Sequence, residues 1–180
     1  MALSRAPHVH QQNRFSTRTL QNMDETPLRQ FVTAIDHVGI AVPDLDAAIE
    51  FYSTTFGLEL AHQEVNEEQG VREAMMRAPG DTGSATAVQL LAPLHPDSTI
   101  AKFIDKFGPG LQQLAYRVTD VDKAAEVLRS MGLRLLYPEA RRGTANSRVN
   151  FVHPKDAGGV LIELVQPAQA HPGREGGNRH

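Results

Sequence analysis

The stretch Ile35-Asp36-His37-Val38-Gly39-Ile40-Ala41-Val42 has a counterpart later in the chain, Leu111-Gln112-Gln113-Leu114-Ala115-Tyr116-Arg117-Val118, at a constant offset (113 − 37 = 76). Each run is strand-like. In the first, Val38, Ile40 and Val42 share one face, and His37, Gly39 and Ala41 share the other. Each then meets an Asp-x-Asp step, Pro43-Asp44-Leu45-Asp46 or Thr119-Asp120-Val121-Asp122, with the same offset (120 − 44 = 76). Asp44 and Asp120 are predicted helix N-caps. Leu45, Ala48, Ile49, Tyr52 and Phe56 recur at helical spacing up to Gly57; Val121, Ala124, Ala125, Leu128 and Met131 do so up to Gly132.

Short strands are predicted after the first helix at 59–63, 71–78 and 85–92, and after the second at 133–137, 148–152 and 160–166. The unit is therefore βαβββ, used twice. The class is α+β: two paired βαβββ modules forming a cupped, barrel-like mixed sheet. The first module spans 31–94 and the second 111–168, and the linker 95–110 contains a helix with Ile100, Phe103, Ile104 and Phe107 as its apolar stripe. One helix covers one face of a four-stranded sheet, so the other face must curl around a partner or a ligand.

Residues on that second face carry the chemistry. His37 and Gln113 open their modules, while Gln89 in Val88-Gln89-Leu90-Leu91 and Glu163 in Leu161-Ile162-Glu163-Leu164-Val165 close them (163 − 89 = 74). Buried polar side chains need partners. This symmetric quartet is read as gathered around one divalent ion, and imidazole, amide oxygen and carboxylate suit a borderline-to-hard metal. Glu73 in Val71-Arg72-Glu73-Ala74-Met75-Met76 breaks the symmetry, since its expected counterpart lies near Asn150. Facing Glu163 across a cleft, it would complete an acid/base pair; on the solvent side of an edge strand it would only pair with a neighbour such as Arg72. Arg148, Asn150, His153 and Lys155 are close together and are candidates for an anionic ligand. They read equally as the solvated end of a hairpin.

The totals narrow the class. A net charge of −3 gives no basic field for nucleic acid or an anionic membrane, and no apolar run approaches a membrane span of ~20 residues. With no cysteine, disulfides and thiolate metal sites are excluded. Residues 1–30 read as a disordered polar extension; Arg5, Arg14 and Arg18 with no acid in the first 23 residues also resemble a mitochondrial presequence. The expected compartment is cytoplasmic, or the mitochondrial matrix on that second reading. Residues 169–180 read as a disordered tail.

The body resembles the methylmalonyl-CoA epimerases of the vicinal oxygen chelate superfamily, relatives of glyoxalase I. The resemblance rests on the opening stretch, Glu68-Gln69-Gly70-Val71, Val88-Gln89-Leu90-Leu91-Ala92-Pro93-Leu94, Asn150-Phe151-Val152-His153-Pro154-Lys155 and Gly159-Val160-Leu161-Ile162-Glu163-Leu164. It implies metal ligands at His37, Gln89, Gln113 and Glu163, and catalytic carboxylates at Glu73 and Glu163. It also implies an acyl-CoA thioester substrate, a homodimer, and a divalent cofactor, cobalt first, with manganese, magnesium or zinc as alternatives. One departure stands out. The family has His-His where this chain has Gln112-Gln113, and the second histidine is the ligand. The change leaves open a related isomerase or lyase acting on another thioester or a polyketide-type substrate, or a metal-free small-molecule-binding protein.

Overall fold

A computed structural model describes residues 26–168. The first copy contributes β1 (Val32–Ala41), α1 (Leu45–Phe56), β2 (Glu59–Asn66), β3 (Val71–Arg77) and β4 (Ala87–Pro93). After the linker helix α2 (Thr99–Phe107) come β5 (Gly110–Val118), α3 (Val121–Ser130), β6 (Arg141–Arg142), β7 (Arg148–Val152) and β8 (Leu161–Gln166). All strands belong to one eight-stranded sheet in the order β2-β3-β4-β1-β5-β8-β7-β6, curled into a half-barrel. β1 pairs with β4 and β5 with β8 in parallel, and the two copies meet where β1 runs antiparallel to β5.

The helices form where local chemistry allows them. Asp44 accepts from the Ala47 N–H and Asp120 from the Lys123 N–H, each at 3.0 Å. These contacts satisfy donors that a helix start would otherwise leave free. Gly57 ends α1 in the left-handed region (φ 70°).

Strand alternation then sorts side chains onto two faces. On the convex face, α1 packs over Val42, Ala74, Met76 and Leu90, and α3 over Val118, Val152 and Leu164. Fully burying a leucine such as Leu45 or Leu164 contributes about 2 kcal/mol. On the concave face, α2 caps one end through Ile100, Phe103 and Ile104 against Ala41, Val71 and Leu91. Ala115, Val149, Phe151 and Val165 line the other end. Among the described residues no helix is long and apolar enough to cross a membrane.

Two details differ from the sequence reading. Residues 1–25 and 169–180 lie outside the described residues, but residues 26–31, expected to sit mostly in the extension, form a turn that packs Leu28 and Phe31 on the second core. The strand expected at 133–137 is reduced to a single bridge, Leu135 to Val152. There the Asn150 side chain replaces the ladder. Its Oδ1 accepts from the Tyr137 N–H (3.3 Å) and its Nδ2 donates to the Tyr137 carbonyl (3.1 Å). Pro138 follows and has no N–H to offer.

Asn150 is 1% exposed, and its Oδ1 also accepts from the buried Phe151 N–H at 2.8 Å, so removing its side chain takes the acceptor from the Tyr137 and Phe151 N–H groups, while the Tyr137 carbonyl keeps Arg129. We expect Asn150→Ala to lose about 1–3 kcal/mol of stability, measured by denaturant unfolding. A variant as stable as the native chain would show that this side chain does not anchor the segment.

Candidate active site

Four strands deliver four polar side chains to the middle of the concave face. His37 comes from β1, Gln89 from β4, Gln113 from β5 and Glu163 from β8. The Gln113 amide nitrogen lies 2.6 Å from Glu163 Oε2, 3.1 Å from Gln89 Oε1 and 3.4 Å from His37 Nε2. His37 Nε2 lies 3.0 Å from the same Glu163 oxygen. His37, Gln89 and Glu163 are all buried. Donor atoms from 126 residues of chain separation (His37 to Glu163) thus meet at one point.

The convergence needs Gly39. It stands opposite Gln113 in the ladder, and a Cβ there would come within 2.5 Å of Gln113 Cγ, closer than real carbon contacts. The missing side chain at 39 is the space that the Gln113 side chain occupies.

Glu73 joins the network from β3. The Gln89 amide nitrogen donates to Glu73 Oε2 (3.0 Å) and to Thr144 Oγ1 (2.9 Å). Glu73 is 2% exposed and sits on an interior strand, while Arg72 turns away to Asp46 at 3.2 Å. The edge-strand reading of Glu73 therefore does not apply. Burial is the main cause that pushes the Glu73 carboxyl up to about 7; Thr144 opposes the rise, and Glu64 and Glu163 add to it. Its counterpart lies next to Asn150, as expected. Met75 pairs with Gln89 and Phe151 with Glu163, so two residues earlier on each strand Glu73 matches Val149. The second acid of the cleft has a valine as its mirror position.

His37 is held from behind. Its Nδ1 lies 3.0 Å from Asp36 Oδ1, and Arg117 Nε donates to Asp36 Oδ2 at 2.7 Å. Strict alternation would point Asp36 and His37 to opposite faces. The register shifts between Ile35 and His37, so Asp36 is the extra residue of a bulge, free to reach its neighbour's ring. Burial works against the charged ring, but the bonds to Asp36 and Glu163 outweigh it and raise His37 to about 9. Sequence reasoning passed over Asp36, Arg117 and Thr144. Asp36 is hidden by the bulge, Arg117 was legible by two-residue alternation from Gln113, and Thr144 sits in a loop with no periodicity.

The proposed anion-binding cluster is not brought to this place. Arg148 pairs with Asp122 of α3 at 2.7 Å. Asn150 faces the convex side, where it holds Tyr137. Lys155 lies in a single helical turn beyond β7, with its backbone N–H on His153 Nδ1. Closeness along the chain grouped these residues, whereas strand alternation separates Arg148 and Asn150 from the cleft. Glu73, Gln89, Gln113 and Glu163 line the cleft with further polar and apolar side chains, and none of its lining residues is Lys or Arg.

Because the folded value of His37 lies above its ordinary 6.5, its bonds stabilise the fold fully below pH 6.5 and lose that contribution as pH rises through about 9. Asp36→Asn is expected to move the NMR titration midpoint of His37 down toward 6.5 and to flatten this loss of stability. An unmoved midpoint would show that Asp36 does not hold the ring.

Comparison with known proteins agrees with this architecture. The Glyoxalase/Bleomycin resistance protein/Dioxygenase superfamily matches residues 36–151. The ethylmalonyl-CoA/methylmalonyl-CoA epimerase of Cereibacter sphaeroides is 37% identical over 134 residues, 73% of this chain and 96% of that protein. A crystal structure of methylmalonyl-CoA epimerase from Mycobacterium tuberculosis superposes with a TM-score of 0.74 at 61% identity, covering 78% of this chain and 92% of that one. A variant of the Streptomyces coelicolor methylmalonyl-CoA epimerase, in complex with 2-nitronate-propionyl-CoA, superposes with a TM-score of 0.73 at 50% identity, covering 77% and 99%. With its sheet order, its paired modules and this degree of identity, the chain belongs to the methylmalonyl-CoA epimerase family of the glyoxalase superfamily, and it is an isomerase of the epimerase type.

Proposed function

We propose that the chain inverts the α-carbon of methylmalonyl-CoA or a closely similar 2-substituted malonyl thioester by 1,1-proton transfer. The observation that carries this reading is the placement of Glu73 and Glu163 on different strands of one cleft, close enough that the charge of Glu163 raises Glu73. Inversion needs one group to take a proton from one face of a carbon and another to return a proton to the opposite face. A carboxyl held near 7 can do either at neutral pH.

The substrate carboxylate and the enolate formed beside it also need positive charge. The cleft has two acids and no Lys or Arg, so the substrate calls for a bound cation. The quartet fits that need: a carboxylate oxygen, an amide oxygen, a ring nitrogen and a second amide converge on one point. Glu163, Gln89, His37 and Gln113, the last through its amide oxygen, would hold a divalent ion, and His37 would give up its Nε2 proton to do so. Such an ion supplies Lewis-acid polarisation of the thioester and carboxylate oxygens. Glu73 removes or returns the α-proton on one face and Glu163 serves the other. Thr144 and Gln89 keep the Glu73 carboxyl pointed into the cleft, and Tyr137, Phe151, Leu136 and Ile100 exclude water around the reacting carbon.

The test follows the α-proton of methylmalonyl-CoA by NMR in deuterated water with the purified, metal-analysed protein. Glu73→Gln should lower inversion by about 10²-fold or more with metal content unchanged. Undiminished inversion in that variant would remove Glu73 from the reaction.

A further inference from the structure

Gln112 occupies in the second module the place that Asp36 holds in the first (112 − 36 = 76). The β1–β5 ladder shows the same twofold relation. Ile35 stands opposite Tyr116 and His37 opposite Ala115, while Leu111 stands opposite Ile40 and Gln113 opposite Gly39. The ladder thus skips one residue on each strand, Asp36 on β1 and Gln112 on β5, and each is the extra residue of a bulge. Strict alternation would turn Gln112 away from the face that Gln113 occupies. The bulge brings it round, and Gln112 forms part of the cleft wall.

The symmetry ends at the partners. Asp36 is bonded by the His37 ring and by Arg117. The matching places in the other module hold Gln113, whose amide nitrogen is turned onto Glu163 and Gln89, and Ala41, whose side chain has no polar atom (117 − 41 = 76). Among the described residues nothing bonds the Gln112 amide, and its Oε1 is buried without a partner. Oε1 is the end shut off from water, so the end left open is the one that carries the two N–H donors. The other amides of the wall are committed: Gln69 donates to the Arg142 carbonyl, Gln89 to Glu73 and Gln113 to Glu163.

On the epimerase reading, the molecule that fills this cleft carries a carboxylate beside its thioester. No Lys or Arg lines the cleft, so neutral donors must share that carboxylate with the cation. An ionised acceptor makes the stronger hydrogen bond, and the carboxylate stays ionised in both epimers and in the enolate between them. We infer that Gln112 is a specificity-determining residue whose Nε2–H donates to the free carboxylate of the malonyl thioester, selecting acyl thioesters that carry one. This rests on the epimerase reading of the cleft.

Gln112→Met keeps the length of the side chain and removes its donors. Because the amide has no partner in the protein, the variant should unfold at the same temperature as the native chain or higher. A bond to the carboxylate is equally strong before and during proton removal, so its loss raises KM and spares kcat. KM for methylmalonyl-CoA should rise about tenfold to a hundredfold, the range for a hydrogen bond to a charged group. The inhibition constant of propionyl-CoA, the same thioester without the carboxylate, should stay unchanged. A lower kcat at unchanged KM would place the donor on the thioester oxygen, where charge develops, and would overturn the assignment. Unchanged KM and kcat would overturn it too, as would equal weakening of both ligands with a lowered unfolding temperature, the mark of a structural role. A native chain that did not invert methylmalonyl-CoA would remove the epimerase reading itself and this assignment with it, a separate result.

Discussion

The antiparallel pairing of β1 with β5 sets Gly39 opposite Gln113 and His37 opposite Ala115. Small residues thus face the polar ones across the seam, and each long side chain lies over a gap. A Cβ at 39 would fill the space that Gln113 needs. Slipping the register by one residue would turn His37 and Gln113 onto the convex face, into the apolar layers under α1 and α3. The same slip would bring Val38 and Leu114 into the cleft. Core burial on the convex side therefore enforces the geometry of the polar site on the concave side.

That site is costly to the fold. His37, Glu73, Gln89 and Glu163 are buried among Leu91, Val149, Phe151 and Val165, and ionised groups are expensive to remove from water unless they are paired. The cost is partly offset by continuity. Arg117 holds Asp36, which holds the ring of His37, and that ring and the Gln113 amide both meet Glu163. Among the described residues, the buried side-chain atoms without a hydrogen-bond partner are Oε1 of Glu64, which faces Arg142 at 3.9 Å, and Oε1 of Glu73 and Gln112, both in the lining of the cleft. Unsatisfied polar atoms tend to persist where a ligand or a moving proton needs them.

Much of this was legible in the chain. The 76-residue offset carried the duplicated modules, and His37, Gln89, Gln113 and Glu163 were read onto a common face, while Glu73 stayed open between the cleft and the solvent side of an edge strand. The rest failed for identifiable reasons. A bulge at Asp36 breaks the alternation that would have flagged it. Thr144 reaches Gln89 from a loop in which Ala145 and Asn146 adopt positive φ (52° and 60°), a path no periodicity predicts. Arg148 and Asn150 were grouped with the site by nearness in sequence, although alternation along β7 turns them toward α3. The strand expected at 133–137 fails because a side chain, that of Asn150, takes over hydrogen bonds that a neighbouring backbone would otherwise make.

Position 113 brings an amide to the centre of the site. An amide presents either an oxygen or a nitrogen to the same point, so position 113 can complete a cation site or close the network around Glu163. Either way the two carboxylates keep their separate strands. The most direct test is a crystal structure with a CoA thioester analogue whose α-carbon is planar, mimicking the deprotonated substrate. The account predicts that carbon between Glu73 and Glu163, with one carboxyl over each face. An analogue bound with both carboxyls on one face, or bound away from this cleft, would contradict it.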